Sequence, residues 1–300
     1  MSDTEADGSK RRGIEYDVRG VTVRGWLQMP DGPGPHPVVI LAHGFGGLKE
    51  WTIPAVADTL VGDGIAAIAF DYRNFGDSDG YPREEVDHCG QIDDFLGAIA
   101  YATTVPGLDP TRIGLWGTSL GGRNALAAAA IDSRVKCVVA QVPGVSLSVQ
   151  LWVDMMLPGG DVAALEAAIH EDQRDRLLGK EPHYVSMDAP PDSESGSYLA
   201  THGEAEKRNW GKRISLQSFA PTVVDNLSYL MPRIAPKPLL MILAKQEHPA
   251  LLAGQRSAYA AAGEPKSLLE VDGHHYTVYT DWKDATITAA RDWFLEHLTA

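Results

Sequence analysis

The sequence predicts an α/β fold, a mostly parallel, doubly wound sheet that opens with an antiparallel hairpin. Three observations carry this expectation. Short, uninterrupted apolar runs recur along the chain, as in strands buried on both faces of a parallel sheet. Helical segments separate those runs, which is the rhythm of strand–helix–strand units. The first two runs instead alternate apolar and polar residues around Arg19-Gly20, the pattern of a hairpin with one wet face.

The elements follow in order. Ile14 to Val18 and Val21 to Leu27 form the hairpin, and Pro30 to Pro37 is a loop rich in proline and glycine. Val38-Val39-Ile40-Leu41-Ala42 and Ile65 to Phe70 begin the parallel part, with a helix over 52–62 between them. A helix over 85–103 leads to the strand at Ile113–Trp116, and one over 122–131 leads to Val135–Ala140. Leu239–Leu243 and Ser267–Val271 complete the sheet around a helix at 255–262, and a last helix spans 285–298.

The stretch from Val142 to Leu239 breaks this rhythm. It holds a helical piece over 162–178, a loop rich in Asp, Ser, Glu and Pro at 187–197, and Trp210, Phe219 and Tyr229. So long a connection inside a compact domain is usually functional. It reads as a helical cap without an independent fold. The expected organisation is a disordered tail over 1–12, a core formed by 13–143 and 237–300, and a cap insertion over 144–236. No internal repeat is visible.

Composition narrows the partners. The chain has 300 residues, 44% of them apolar, enough to bury a sizeable core. Its net charge of −14 disfavours nucleic acid and anionic membranes as partners, and marks a soluble acidic surface. Met1 to Arg12 has no apolar core of a signal peptide, and no run is long enough to span a bilayer, so the cytoplasm is the expected compartment. Cys89 and Cys137 read as unpaired thiols. No cluster has metal-ligand spacing, and no metal or cofactor is expected. The expected partner is a small-molecule substrate. A homodimer is compatible with this composition, but nothing specifies an interface.

The most informative segment is Ile113-Gly-Leu-Trp-Gly-Thr-Ser-Leu-Gly-Gly122. An apolar strand runs into Gly-Thr-Ser-Leu-Gly, and an alanine-rich helix follows at once. Such a turn holds a serine in strained backbone with its hydroxyl exposed above the sheet, so Ser119 is the candidate nucleophile. A serine hydroxyl needs a base within hydrogen-bonding reach, and the base needs a carboxylate that fixes its tautomer. With the nucleophile on this turn, acid and then base are expected to follow in the chain. The base is sought behind the last strand, where Asp272-Gly273 leads into His274-His275. Side chains of neighbours point apart, so one of the two histidines can face Ser119. The acid is sought behind Leu239–Leu243. Glu247 is the carboxylate close behind that strand, and Asp225 and Asp272 are outside candidates.

The tetrahedral oxyanion needs backbone N–H donors. Leu120, just after the nucleophile, is one candidate, and Phe45 in His43-Gly44-Phe45-Gly46-Gly47 is the other. His43 precedes the elbow and reads as a residue that orders this loop. Asp71 and Arg73, in a turn-rich segment after a buried strand, read the same way. Trp152, Met155 and Met156 are candidate substrate contacts from the cap, with adaptable apolar side chains.

Taken together, the His-Gly-Phe-Gly loop, the Asp-Tyr-Arg-x-Phe-Gly-x-Ser segment, the Gly-Thr-Ser-Leu-Gly-Gly elbow and the terminal His-Tyr-Thr-Val-Tyr resemble the α/β-hydrolase superfamily over about 13–298. Within it the chain looks like the dienelactone-hydrolase-like and acetyl-xylan-esterase-like group, and is similar to fungal polyketide thiohydrolase and transferase proteins with a comparable cap. The resemblance implies the α/β-hydrolase fold and a cofactor-free esterase, thioesterase, lactonase or acyltransferase. It favours His275 as base, because His275 begins the His-aromatic-x-x-Tyr pattern. Two positions depart from the group: Glu247 stands where aspartate is more usual, and His274 where glycine is common.

The leading expectation is therefore a serine hydrolase with a Ser119–Glu247–His275 triad, acting on an ester, thioester or lactone with a hydrophobic or aromatic acyl group. The same residues can cleave a carbon–carbon bond beside a ketone, or pass an acyl group to an alcohol. A non-catalytic ligand receptor is the least favoured reading, since such proteins usually lack one of these residue types.

Overall fold

A computed structural model of the chain describes residues 11–157 and 159–299. Its centre is an eight-stranded sheet in the order β1-β2-β4-β3-β5-β6-β9-β10. The antiparallel end comprises β1 (Arg11–Val18) and β2 (Val21–Gln28), and β2 pairs antiparallel with β4 (Ala66–Phe70). From β4 onward every pairing is parallel, through β3 (His36–Ala42), β5 (Leu108–Thr118), β6 (Val135–Gln141), β9 (Leu239–Ala244) and β10 (Lys266–Val271).

Helices cover both faces. On one face α1 (Ile53–Gly62) and α8 (Lys283–Leu298) pack Ile53, Leu60 and Phe294 against Val39, Leu41, Trp116 and Val139. On the other, α2 (Gly90–Ala102), α3 (Leu120–Ile131) and α7 (Pro249–Ala261) pack against Val38, Ile40, Leu115 and Val138. Neighbours on one strand thus serve opposite cores. This is why the parallel strands read as unbroken apolar runs while the hairpin alternates.

The tail expected over 1–12 falls outside the described residues as far as residue 10, and its end needs correction. Arg11 and Arg12 belong to β1, paired with Gln28 and Leu27. The physical reason is Arg11 itself. Its guanidinium reaches Gln28 and Asp58 and lies 4.7 Å over the Trp26 ring.

Between β6 and β9 the chain leaves the sheet. It forms α4 (Val149–Met156), α5 (Val162–Leu177), β7 (Tyr184–Ser186), α6 (Glu194–Ala200) and β8 (Arg213–Ser215), with β7 and β8 paired antiparallel. Trp152, Leu165, Ile169, Ile214 and Phe219 from this insertion join the apolar cluster that also contains Ile40 and Leu120. Among the described residues no helix is long and apolar enough to cross a membrane.

Candidate active site

Ser119 stands between the end of β5 and the start of α3. Its backbone is left-handed, φ 54°, ψ −121°, a strained conformation for a residue with a side chain. Small neighbours make the turn feasible. A Cβ on Gly117 would run into the Gly121 backbone, and one on Gly121 into the carbonyl oxygens of Ala42 and His43. Hydrogen bonds fix the rest. The Ser119 N–H donates to the Gln141 carbonyl at 2.8 Å, and the Ser119 carbonyl accepts from Gly144 N–H at 3.0 Å.

The adjacent parallel strands β9 and β10 deliver the next two groups side by side. Lys245 N–H donates to Val271 O and Gln246 N–H to Gly273 O, both at 2.9 Å, so the two loops leave the sheet together. Gly273 turns at φ +117°, where a Cβ would also press on Thr277. A 3-10 turn over His275–Tyr279 follows.

The Ser119 hydroxyl donates to His275 Nε2 at 3.1 Å, and His275 Nδ1–H donates to Glu247 Oε2 at 2.5 Å. Glu247 Oε1 also accepts the His248 N–H at 3.0 Å. Glu247 and His275 are both buried. Burial pushes the Glu247 carboxyl up, but the charge and hydrogen bond of His275 outweigh it and hold the group below its ordinary range. Burial pulls His275 down, but Glu247, with a further contribution from Glu194, outweighs it and leaves the imidazole above its ordinary value.

The other candidates have different partners. His274 is half exposed and engages the Gln246 carbonyl at 2.9 Å and Glu194 at 3.5 Å. Asp225 accepts from Thr222 and lies 3.9 Å from Arg123, and Asp272 pairs with Lys245 on the surface. Of the two histidines, the geometry brings His275 to Ser119. Cys89 is exposed and Cys137 buried, and neither is in a disulfide.

The loop after β3 approaches Ser119 closely: a Cβ on Gly44 would lie 3.0 Å from the Ser119 Cβ. Phe45 N–H donates to no backbone acceptor among the described residues, and Leu120 N–H opens α3, where no intrahelical acceptor exists. His43 Nδ1–H donates to the Gly44 carbonyl at 2.9 Å. The buried Lys49 ammonium sits 2.6 Å from both Asp71 and Asp77, while Asp71 also accepts the Lys49 backbone N–H. Arg73 is held by Asp94 through paired hydrogen bonds of 3.0 and 2.8 Å.

The insertion reaches this loop as well. Trp210 Nε1–H donates to the Gly46 carbonyl at 3.1 Å, Trp51 Nε1–H donates to the Glu206 carbonyl at 3.0 Å, and the Asn209 amide donates to Asp77. Lys49, Asn209 and Trp210 escape a reading of motifs. Lys49, a lone cation beside the glycine-rich loop and ahead of Asp71, is the one that its position could have flagged.

A cavity of about 340 Å³ opens over Ser119, with His275, Phe45 and Leu120 in its wall. Trp152, Met155 and Met156 line it too, and the Trp152 ring lies 4.7 Å from that of Phe45. A second cavity, about 320 Å³, is lined by Tyr81, Asp87, His88 and Cys89 and shares no lining residue with the first. It contains none of the groups that could carry the chemistry described.

A serine on a strand-to-helix turn, hydrogen-bonded to a histidine–carboxylate pair at the carboxyl ends of a parallel sheet, is the arrangement of an α/β hydrolase. The sequence pattern of the α/β-hydrolase fold matches residues 37–280, and the chain belongs to that family. It is 36% identical to the quorum-quenching protein AidA of Acinetobacter baumannii over 199 residues, 62% of this chain and 63% of AidA. It is 41% identical to the thiohydrolase AneE of Aspergillus aculeatus over 126 residues, 42% of this chain and 39% of AneE. The chain thus spans less than two thirds of either relative. The polyketide transferase GrgF of a Penicillium species matches over 90% of this chain and 92% of its own, at 29% identity. The crystal structure of GrgF superposes with a TM-score of 0.79 at 26% identity, covering 97% of this chain and 99% of GrgF.

Proposed function

We propose that this α/β hydrolase is a cofactor-free serine hydrolase that cleaves an ester, thioester or lactone through an acyl-enzyme. The observation that carries the reading is the continuous hydrogen-bonded chain from Ser119 through His275 to Glu247, at 3.1 and 2.5 Å, in the wall of an apolar cavity. Ser119 Oγ attacks the carbonyl carbon as His275 Nε2 takes its proton. Phe45 and Leu120 N–H groups stabilise the negative charge that develops on oxygen. Collapse breaks the bond to the leaving group, which receives the proton from His275. Water, deprotonated by the same nitrogen, then releases the acid and restores Ser119. Glu247 keeps the Nδ1–H tautomer and stabilises the imidazolium formed in each half.

The insertion acts in this reading as a cap. Trp152, Met155 and Met156 give it an apolar lining suited to a hydrophobic or aromatic acyl group. Similarity to a protein named a thiohydrolase supports the thioester form of the substrate. A second reading, transfer of the acyl group to an alcohol in place of water, is supported by the similarity to a polyketide transferase. Both share the first half-reaction.

The test is hydrolysis of p-nitrophenyl esters, acetate to decanoate, by the wild type and Ser119→Ala. The expected loss in kcat is at least about a thousandfold, with the optimum chain length sizing the cavity. Equal turnover by both proteins overturns the mechanism. A burst of one nitrophenol per chain, followed by faster turnover on adding an alcohol, moves acyl transfer to the front.

A further inference from the structure

Two groups of side chains stand out in the lining of the cavity over Ser119. The Phe45 ring lies against that of Trp152, and Leu147, Met155 and Met156 add further apolar lining. Around His275 the cavity is lined by Tyr198, Tyr276 and Tyr279. Their rings lie against one another, Tyr198 to Tyr276 at 5.3 Å and Tyr198 to Tyr279 at 5.0 Å between centroids. The Tyr276 ring is 5.4 Å from the imidazole of His275.

The geometry of the reaction decides which part of a substrate meets which group. The tetrahedral carbon has four directions. One is the bond to Ser119 Oγ, and one is the oxyanion, held toward Phe45 and Leu120. A third is the leaving atom, which must lie within hydrogen-bonding reach of His275 Nε2 to receive its proton. The acyl chain takes the direction that remains. The leaving group therefore extends along the His275 side, among the tyrosines, and the acyl chain toward Trp152.

The three hydroxyls are not equivalent. Tyr198 shares a hydrogen with Thr52 Oγ1 at 2.9 Å, and Tyr279 with Thr118 Oγ1 at 2.7 Å. Among the described residues the Tyr276 hydroxyl makes no hydrogen bond, and Tyr276, half-buried, lines the cavity. Burial, with Glu247 and Glu194 adding to it, pushes this phenol up to about 12, so it keeps its proton and acts as a donor. The hydroxyl is open to the cavity and has no protein partner there, so it is available to donate to an acceptor on a ligand.

Resting on the hydrolase reading above, we infer that Tyr276 is a specificity residue for the leaving group, and that the tyrosine-lined side takes a flat, ring-bearing alcohol or thiol with a hydrogen-bond acceptor. The ring faces supply stacking surface, and the Tyr276 hydroxyl, unlike those of Tyr198 and Tyr279, has no protein partner among the described residues and is free to donate.

The test uses butyrate esters with aryl leaving groups, compared as a ratio within each enzyme variant so that differences in phenol acidity cancel between variants. The three acetylphenyl isomers carry a carbonyl acceptor, and a dichlorophenyl ester carries none. The measured quantity is the ratio of kcat/KM for the best acetylphenyl ester to that for the dichlorophenyl ester, which is independent of the fraction of folded enzyme. Tyr276→Phe keeps the ring and removes the hydroxyl, and the ratio should fall about 5–10-fold. Tyr279→Phe, whose hydroxyl is committed to Thr118, should leave the ratio unchanged. An unchanged ratio in Tyr276→Phe, or an equal fall in both variants, overturns the assignment of Tyr276 while leaving the hydrolase reading intact. Turnover that survives Ser119→Ala overturns the hydrolase reading, and this inference with it.

Discussion

Replacing Glu247 by Gln separates the role of the carboxylate charge from that of its shape. The glutamine amide fits the same space but can donate to His275 Nδ1, and so hold the proton on Nε2, where it blocks acceptance from Ser119. An equivalent tautomer error in a triad costs about 10³–10⁴ in kcat, or about 4–5.5 kcal/mol of transition-state stabilisation. The pH profile carries a second, independent sign. In the proposed mechanism His275 must be neutral to act as base, and its folded value lies above the ordinary 6.5 because Glu247, with Glu194 adding to it, outweighs burial. Wild-type kcat/KM should therefore fall as pH drops through a value above 6.5. In Glu247→Gln both contributions of the carboxylate vanish and burial remains, opposed only by the smaller effect of Glu194, so the residual activity should have its acid limb at lower pH than the wild type. Stability follows the same logic. The depressed Glu247 contributes stability that is present above its ordinary 4.5, and the raised His275 contributes stability that is present below 6.5. Urea unfolding should thus show the largest loss in Glu247→Gln between those two values and a smaller one at alkaline pH. The assay is stopped-flow hydrolysis of p-nitrophenyl butyrate from pH 5 to 9, with far-UV circular dichroism to establish folding. Retention of more than about a tenth of wild-type kcat/KM, or an acid limb that moves upward, would refute the reasoning.

Two other substitutions probe the loop after β3. Lys49→Met leaves the Asp71 carboxylate, 1% exposed, with its two backbone donors but no cation. It should cost about 3 kcal/mol in urea unfolding, part of which returns when Asp71→Asn is added, and a loss below about 1 kcal/mol would count against a structural ion pair. Trp210→Phe removes the indole hydrogen bond to Gly46 while keeping a ring in place, and should lower kcat about 3–10-fold with a smaller change in KM. That is less than the hundredfold or more expected for outright loss of an oxyanion donor. A change confined to KM would assign Trp210 to substrate contact alone.

What the sequence discloses depends on how local the cause is. The elbow is legible because strand, glycines, serine and helix are contiguous, and because a Cβ at position 117 or 121 meets atoms of that same turn or of β3. Glu247 stands out because it is the carboxylate in the loop directly behind β9. The pair His274-His275 stays open in the residues themselves. Which one turns inward depends on the Gly273 turn and the 3-10 turn after it, a matter of backbone geometry between two neighbours. Within the insertion, α4, α6 and the β7–β8 pair are hard to read for another reason. They are short, and they stand on distant partners: Tyr198 of α6 rests on Tyr276 and Tyr279, and Trp210 bonds to a carbonyl of the β3 loop. Helix α2 begins at Gly90, later than the apolar periodicity suggests, because the preceding residues are committed to turns, with Asp87 accepting the Gly90 N–H. The first strand likewise begins at two arginines whose partners lie beyond any local window.

The order in which the chain lays down the sheet has a consequence for synthesis. By the end of β6 a nascent polypeptide already holds the Ser119 turn and both candidate oxyanion donors. The histidine and its carboxylate arrive only with β9 and β10, at the far edge. Until that edge is in place, Ser119 lacks its hydrogen bond to His275. On the proposed mechanism, a growing or truncated chain therefore carries the serine without its base, and cannot yet be acylated by substrate.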